Sequence, residues 1–316
     1  MRVAFAATPG FGALVLEGLL ERGVVPAVVL TQTDRPRGRG RRESPSVCAL
    51  AAERASLPCN KIDDINDPGV AAHLRSLKVK AVVVASFGQI LRPPLLEEFL
   101  CLNVHASLLP RYRGASPIQA ALRAGDRVTG VSIMRMVAEL DAGPVALRRE
   151  VSLTVGDDAG TVERVLALLG ALGMAEVLEQ CEAGTAVFEA QEGEPSWAPK
   201  LTAADRVFRP DLEALRCHDY VRALSPEVGA SAESDGLKLK IWRTRPLGVA
   251  GGVSLPAGVE HIAGFPGRVA VEGGRLFVGC AEGAVELLVL QPEGRQRMPA
   301  ASFLRGYGAK MGEHVR

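Results

Sequence analysis

Aromatic residues are scarce in this chain, at 4% of 316 positions. The core therefore has to be built from Ala, Val and Leu rather than from large rings. No C-x-x-C pair exists among Cys48, Cys59, Cys101, Cys181, Cys217 and Cys280. Their wide spacing argues against a zinc site or a disulfide framework and suits a reducing cytoplasm. No metal is expected, because no ligand cluster stands out. Net charge is nearly absent, at +1, which excludes a protein that binds nucleic acid over its whole face and leaves only a local basic patch. No long apolar run opens the chain: Met1-Arg2 leads straight into Val3-Ala4-Phe5-Ala6-Ala7, too short for a signal h-region or a membrane span. What is there is an ordinary globular composition, 47% apolar and 23% charged. The length suits two domains.

In the first half, short apolar runs alternate with helical patterns. Strands are expected over Arg2–Ala7, Val24–Leu30, Ala81–Ala85 and Cys101–Ala106, and helices over Phe11–Arg22, Pro45–Ala55 and Pro94–Leu100. This rhythm predicts an α/β fold, a Rossmann-like and mostly parallel sheet with helices on both faces. Ligands of such sheets bind beyond the carboxyl ends of the strands. A further strand is expected over Thr129–Met136. A long helix is expected over Thr161–Glu179, with Val162, Val165, Leu166, Leu169, Leu172 and Val177 on its apolar face. From Glu182 to Pro210 periodicity lapses and prolines appear at 195, 199 and 210, as in a linker on the surface. A helix near Leu212–Leu224 follows. Glycine-separated runs at Lys238–Thr244, Gly267–Val271, Leu276–Cys280 and Val285–Leu290 then predict a smaller, OB-like β-barrel. The expected division is residues 1–189, a linker over 190–208, and residues 209–316.

Gly10-Phe11-Gly12 follows the first strand as a nucleotide fingerprint would. However, the third glycine would fall at Val15 and no acidic residue ends the second strand, so a tight turn is expected and NAD is not. Asn103-Val104-His105 ends a strand, and residues two apart project together. On these residues alone, a structural pair and a catalytic pair stand about even. The loop Ser107-Leu108-Leu109-Pro110-Arg111-Tyr112-Arg113-Gly114 follows directly, at the end of the sheet where function concentrates. Asp141, before Ala142-Gly143, is an ordinary turn residue unless folding sets it beside His105, where a carboxylate would orient the imidazole. Arg35, Arg37, Arg39, Arg41 and Arg42 crowd eight positions. They form either a solvated loop or a phosphate contact, and the near-neutral remainder of the chain favours phosphate.

The run from Asn103 through Arg113-Gly114-Ala115-Ser116-Pro117-Ile118-Gln119 resembles the core signature of the folate-dependent formyltransferases, and Leu140-Asp141-Ala142-Gly143 resembles their second signature. Thr31-Gln32-Thr33-Asp34-Arg35-Pro36 with Gly38-Arg39-Gly40, Ala198-Pro199-Lys200-Leu201, the run Leu290 to Met298 and Phe303-Leu304-Arg305-Gly306 are similar to segments of the methionyl-tRNA branch of that superfamily. The resemblance implies 10-formyltetrahydrofolate as donor, released as tetrahydrofolate, and initiator methionyl-tRNA as acceptor for translation initiation. It implies Asn103, His105 and Asp141 as catalytic residues. It implies Ser107, Leu108, Leu109, Pro110, Gln89 and Ile90 at the folate site, and the five arginines and the barrel on tRNA. The sequence departs from the pattern at Tyr112 and Phe87, where Trp and Tyr are common, at Pro144 for Asp, at Val207-Phe208, and at Glu227, where a Trp is expected nearby. Two other functions remain: transfer to a small amine such as a sugar nucleotide or glycinamide ribonucleotide, and an RNA-binding module with an inactive enzyme domain. The basic loop and C-terminal signature oppose the first, and the intact trio opposes the second. A monomer is expected, since no long apolar surface helix stands out.

Overall fold

The computed structural model describes residues 1–37, 42–248 and 253–316. Its contacts divide into two compact units, one of Met1–Pro117, Val128–Ser152 and Glu163–Pro199, the other of Ile118–Arg127, Leu153–Val162 and Lys200–Arg316.

The chain begins β1 (Val3–Ala7), α1 (Gly10–Leu20), β2 (Val28–Gln32), β3 (Arg35–Arg37), β4 (Arg42–Ser44), α2 (Val47–Arg54), β5 (Cys59–Ile62), α3 (Pro68–Ser76) and β6 (Ala81–Ala85). It continues α4 (Leu95–Glu98), β7 (Leu100–His105), α5 (Pro117–Ala124), β8 (Val128–Arg135), β9 (Val145–Ser152) and α6 (Ala159–Ala183). Seven of these strands form one sheet in the order β5-β2-β1-β6-β7-β8-β9. The first five run parallel, and β8 and β9 add an antiparallel edge. Every residue of β1 and β6 is buried, as strands covered on both faces must be, and their Ala and Val side chains supply the core that the scarcity of aromatics demands. The strand order reverses at β1, with β2 on one side and β6 on the other, so the crevice of this sheet opens beyond Ala7 and Ala85.

Gly10-Phe11-Gly12 is the first turn of α1, not a nucleotide cradle. A Cβ on Gly12 would lie 2.4 Å from Ala7 Cβ and 2.6 Å from Ala85 O, so the glycine lets the helix press onto the sheet. The second strand starts later than its apolar run suggests, because Val24 N still donates to Leu19 O at the end of α1. The arginine-rich loop is partly a hairpin, with Arg35, Arg37 and Arg42 in the paired strands β3 and β4. Arg39 and Arg41 lie outside the described residues.

The second unit contains α7 (Ala214–Ala223), β10 (Ala230–Ser234), β11 (Leu237–Leu247), β12 (Val269–Glu272), β13 (Arg275–Gly279), β14 (Ala284–Pro292), β15 (Met298–Pro299) and α8 (Ala300–Tyr307). Its antiparallel sheet runs β10-β11-β14-β13-β12, with β15 on β14. The last four residues stitch its two edges. Val269 N donates to Glu313 O and Val315 N to Gly267 O on one side, while Glu233 and Arg316 exchange backbone bonds at 2.8 and 3.0 Å on the other. Phe208, Leu276, Val285, Leu287 and Phe303 fill the core beneath.

Candidate active site

β7 carries Asn103 and His105 to the carboxyl end of the parallel strands. In register, Asn103 stands between Val84 of β6 and Met134 of β8, and His105 opposite Ser132. Both side chains are buried, at 8% and 5% exposure. Among the described residues the Asn103 carboxamide has no hydrogen-bond partner, so its N–H donors are left for a ligand.

The loop after β7 turns back over its end. Tyr112, at φ +59, aims its carbonyl at His105 Nε2, 2.9 Å away. A carbonyl only accepts, so Nε2 carries a proton, and in the neutral ring Nδ1 then holds the lone pair. That nitrogen faces Asp141, with Oδ2 at 3.7 Å. In the neutral ring the Tyr112 carbonyl selects this tautomer. Asp141 occupies the turn after β8 at φ +50, and Gly114 N–H donates to its Oδ2 at 2.8 Å. Gly143 passes so close to β8 that a Cβ would lie 1.8 Å from Arg135 O, which fixes the turn against the strand.

Ser107 to Pro110 are largely spoken for. The Ser107 hydroxyl donates to Arg111 O at 2.5 Å. Leu109 is buried with Met134 and Val145, while Leu108 and Pro110 stay partly open on the rim. Gln89 and Ile90 follow β6, the neighbour of β7. The Gln89 carboxamide is committed elsewhere, accepting from Ile65 N at 2.8 Å and donating to Asp63 O at 2.9 Å. Ile90 is 62% exposed.

Four residues that brace this site carried no sequence signal. Ser132 takes a hydrogen bond from Leu109 N (3.1 Å) and donates to Ser107 O (2.7 Å). Arg148 donates to Leu109 O at 3.0 Å. Ser196 accepts from Tyr112 N through its hydroxyl (2.9 Å) and from Arg113 N through its carbonyl (2.8 Å). Gln191 joins Arg113 to the carbonyls of Asp141 and Gly143. The last two lie in the aperiodic stretch expected to be a linker. Its first part, Glu189 to Ala198, is hydrogen-bonded along its length within the first unit, because the loop and turn beside it offer backbone groups that need partners. Knowing that β8 runs antiparallel to β7 would have picked out Ser132, but register is not written in the sequence.

Burial pushes the thiols of Cys101 on β7 and Cys48 on α2 up to about 12, so neither is a ready nucleophile. Among the described residues no three His, Cys, Asp or Glu side chains converge as a metal site.

Two family models match the chain, formyl transferase over residues 1–178 and the formyl transferase C-terminal domain over residues 200–308. A methionyl-tRNA formyltransferase of Rubrobacter xylanophilus is 44% identical over 310 residues, 97% of each chain. Among solved structures, HypX from Aquifex aeolicus in complex with tetrahydrofolic acid aligns at TM-score 0.65 and 19% identity, across 99% of this chain and about half (48%) of that one. The methionyl-tRNA formyltransferase from Clostridium thermocellum aligns at 0.54 and 16% identity, across 82% of this chain and 95% of that one. The chain belongs to the formyl transferase family, and within it to the methionyl-tRNA formyltransferases.

Proposed function

We propose that this protein moves the formyl group of 10-formyltetrahydrofolate to the α-amine of methionine on initiator tRNA, releasing tetrahydrofolate and supplying N-formylmethionyl-tRNA to translation initiation. The observation that carries this reading is the meeting of Asn103, His105 and Asp141, from two separated segments, at the carboxyl end of β7. The acceptor rests on the near-full-length likeness to methionyl-tRNA formyltransferases.

The amine attacks the formyl carbon only when neutral. As the new C–N bond forms, negative charge gathers on the formyl oxygen, where the unpartnered Asn103 amide donates. Loss of one such donor costs roughly 10²–10³ in rate in other enzymes. The amine proton is taken at His105 Nδ1, the nitrogen that the Tyr112 carbonyl leaves unprotonated. Asp141 then faces an imidazolium and stabilises it. The proton passes to folate N10 as the bond from N10 to the formyl carbon breaks. Such proton handling contributes roughly 10²–10⁴.

The folate is held along Ser107–Pro110, with Leu108, Pro110 and Ile90 as its apolar contacts. Gln89 takes part only by holding the Asp63–Ile65 loop in place. Arg35, Arg37, Arg39, Arg41 and Arg42 and the barrel hold the tRNA. Residues 1–189 and 209–316 act as catalytic and tRNA-binding domains, in a monomer that works in the cytoplasm. Among the described residues, no helix is long and apolar enough to cross a membrane.

The test is to supply 10-formyltetrahydrofolate labelled in the formyl group together with methionyl-tRNA, glycinamide ribonucleotide or no acceptor. Label is expected on the methionyl amine alone. Label on the small amine would move the protein to another branch, and none on either would leave an inactive binding module.

A further inference from the structure

We infer that Gln191 is a positioning residue that ties the two segments meeting at His105 into one rigid unit. Its Oε1 accepts from Arg113 Nε (3.2 Å) and Nη2 (2.9 Å), and its Nε2 donates to Asp141 O (2.7 Å) and Gly143 O (2.8 Å). One carboxamide thus bonds both the loop that presents Tyr112 O to His105 Nε2 and the turn that presents Asp141 Oδ2 to His105 Nδ1.

Both segments need holding. Tyr112 and Asp141 have positive φ, +59 and +50, an uncommon conformation for residues with a side chain, and one that persists where the surroundings over-determine it. The surroundings here are the strap from Glu189 to Ala198. At one end Glu189 pairs with Val145 at 2.7 and 3.0 Å; at the other Ala198 N donates to Arg113 O (2.7 Å) and Ser116 N to Ala198 O (3.0 Å). Gln191 lies between, where its side chain reaches both segments. The chemistry demands an amide, because a carboxylate accepts but does not donate, and a hydroxyl has a single hydrogen.

Glutamate at this position divides the two halves of the role. It keeps the acceptor for Arg113 but loses both donors to the Asp141 turn, and sets a negative oxygen against two carbonyls. The inference rests on His105 and Asp141 being the proton-handling pair, so the experiment carries its own control. Single-turnover formyl transfer to methionyl-tRNA is measured for the intact wild-type chain, Gln191→Glu, Gln191→Ala and Asp141→Asn, with melting temperatures and folded fractions by circular dichroism.

Because a misplacement of about 1 Å at a reacting centre costs about 10²-fold, both Gln191 variants are expected to lose roughly 10- to 100-fold in the saturated rate per folded molecule. KM for both substrates should stay within about twofold, the mark of an interaction used in the transition state. A wild-type rate for Gln191→Glu would overturn the inference, since the bonds to the turn would then be idle. A loss that vanishes once corrected for folded fraction would overturn it too, leaving a purely structural bond. If Gln191→Ala does not fold, the near-isosteric Gln191→Glu decides. A normal rate for Asp141→Asn would instead remove the catalytic assignment itself.

Discussion

Replacing Asp141 with Asn removes one charge and almost no volume. The wild-type Oδ2 sits 3.7 Å from His105 Nδ1, with both side chains nearly buried. From there the carboxylate steadies the positive charge that the ring acquires when it takes the amine proton. Proton handling of this kind contributes roughly 10²–10⁴ in rate. The fold should survive, because the asparagine oxygen can still accept from Gly114 N–H, and weakening that single bond costs only about 1 kcal/mol. The assay is formyl transfer from labelled donor to methionyl-tRNA under saturation, with KM for the folate measured in parallel. The expected result is a kcat lower by roughly 10²–10⁴ with the folate KM little changed. A kcat within about tenfold of wild type, in folded protein, would show that no charge at position 141 is used when the proton moves.

Three further outcomes are expected. Asn103→Ala should lower kcat by roughly 10²–10³ with little loss of stability, because the amide has no protein partner to orphan; an unchanged kcat would remove it from the oxyanion role. His218 in the second unit bonds the Thr244 hydroxyl at 2.8 Å and Val155 O at 2.8 Å, and burial holds its imidazole below the ordinary 6.5. The unfolded chain therefore takes the proton first, so this contribution is intact above about 6.5 and is lost as pH falls below it. His218→Gln, which can replace both bonds, should flatten the fall in urea midpoint between about pH 7.5 and 5.5, and an unaltered fall would place the pH sensitivity elsewhere. Changing Arg37, Arg39 and Arg41 together to Ala should raise KM for tRNA and reduce its salt dependence, by about 0.7–0.9 in the log–log slope for each phosphate that is no longer neutralised; a change in folate affinity alone would contradict this.

The parallel sheet was legible because its strands announce themselves. Val3–Ala7 and Ala81–Ala85 are continuous apolar runs, as strands buried on both faces have to be. Edge elements were not. β5 reads Cys-Asn-Lys-Ile and is only half buried, and β9 sets Arg148, Arg149 and Glu150 in a row a few residues after Pro144. α3 buries Leu74 alone, and its start is marked by Asp67, which accepts from Gly69 N, and by Pro68 in its first turn. Asn103 and His105 could be read from their spacing on a strand end, whereas Asp141 gained meaning only once a turn set it next to the ring. Ser132, Gln191 and Ser196 were invisible for a different reason. Their partners are groups distant in sequence, and a polar side chain on a strand or in an aperiodic stretch looks the same whether it meets water or a carbonyl.

The most direct measurement is a single turnover of enzyme loaded with labelled 10-formyltetrahydrofolate and mixed with charged initiator tRNA, run beside His105→Ala. Label should appear on the methionyl amine with wild-type protein and be nearly lost with the variant, while folate binding persists. Equal transfer by the two proteins, or label that never reaches the amine, would contradict formyl transfer at the end of β7.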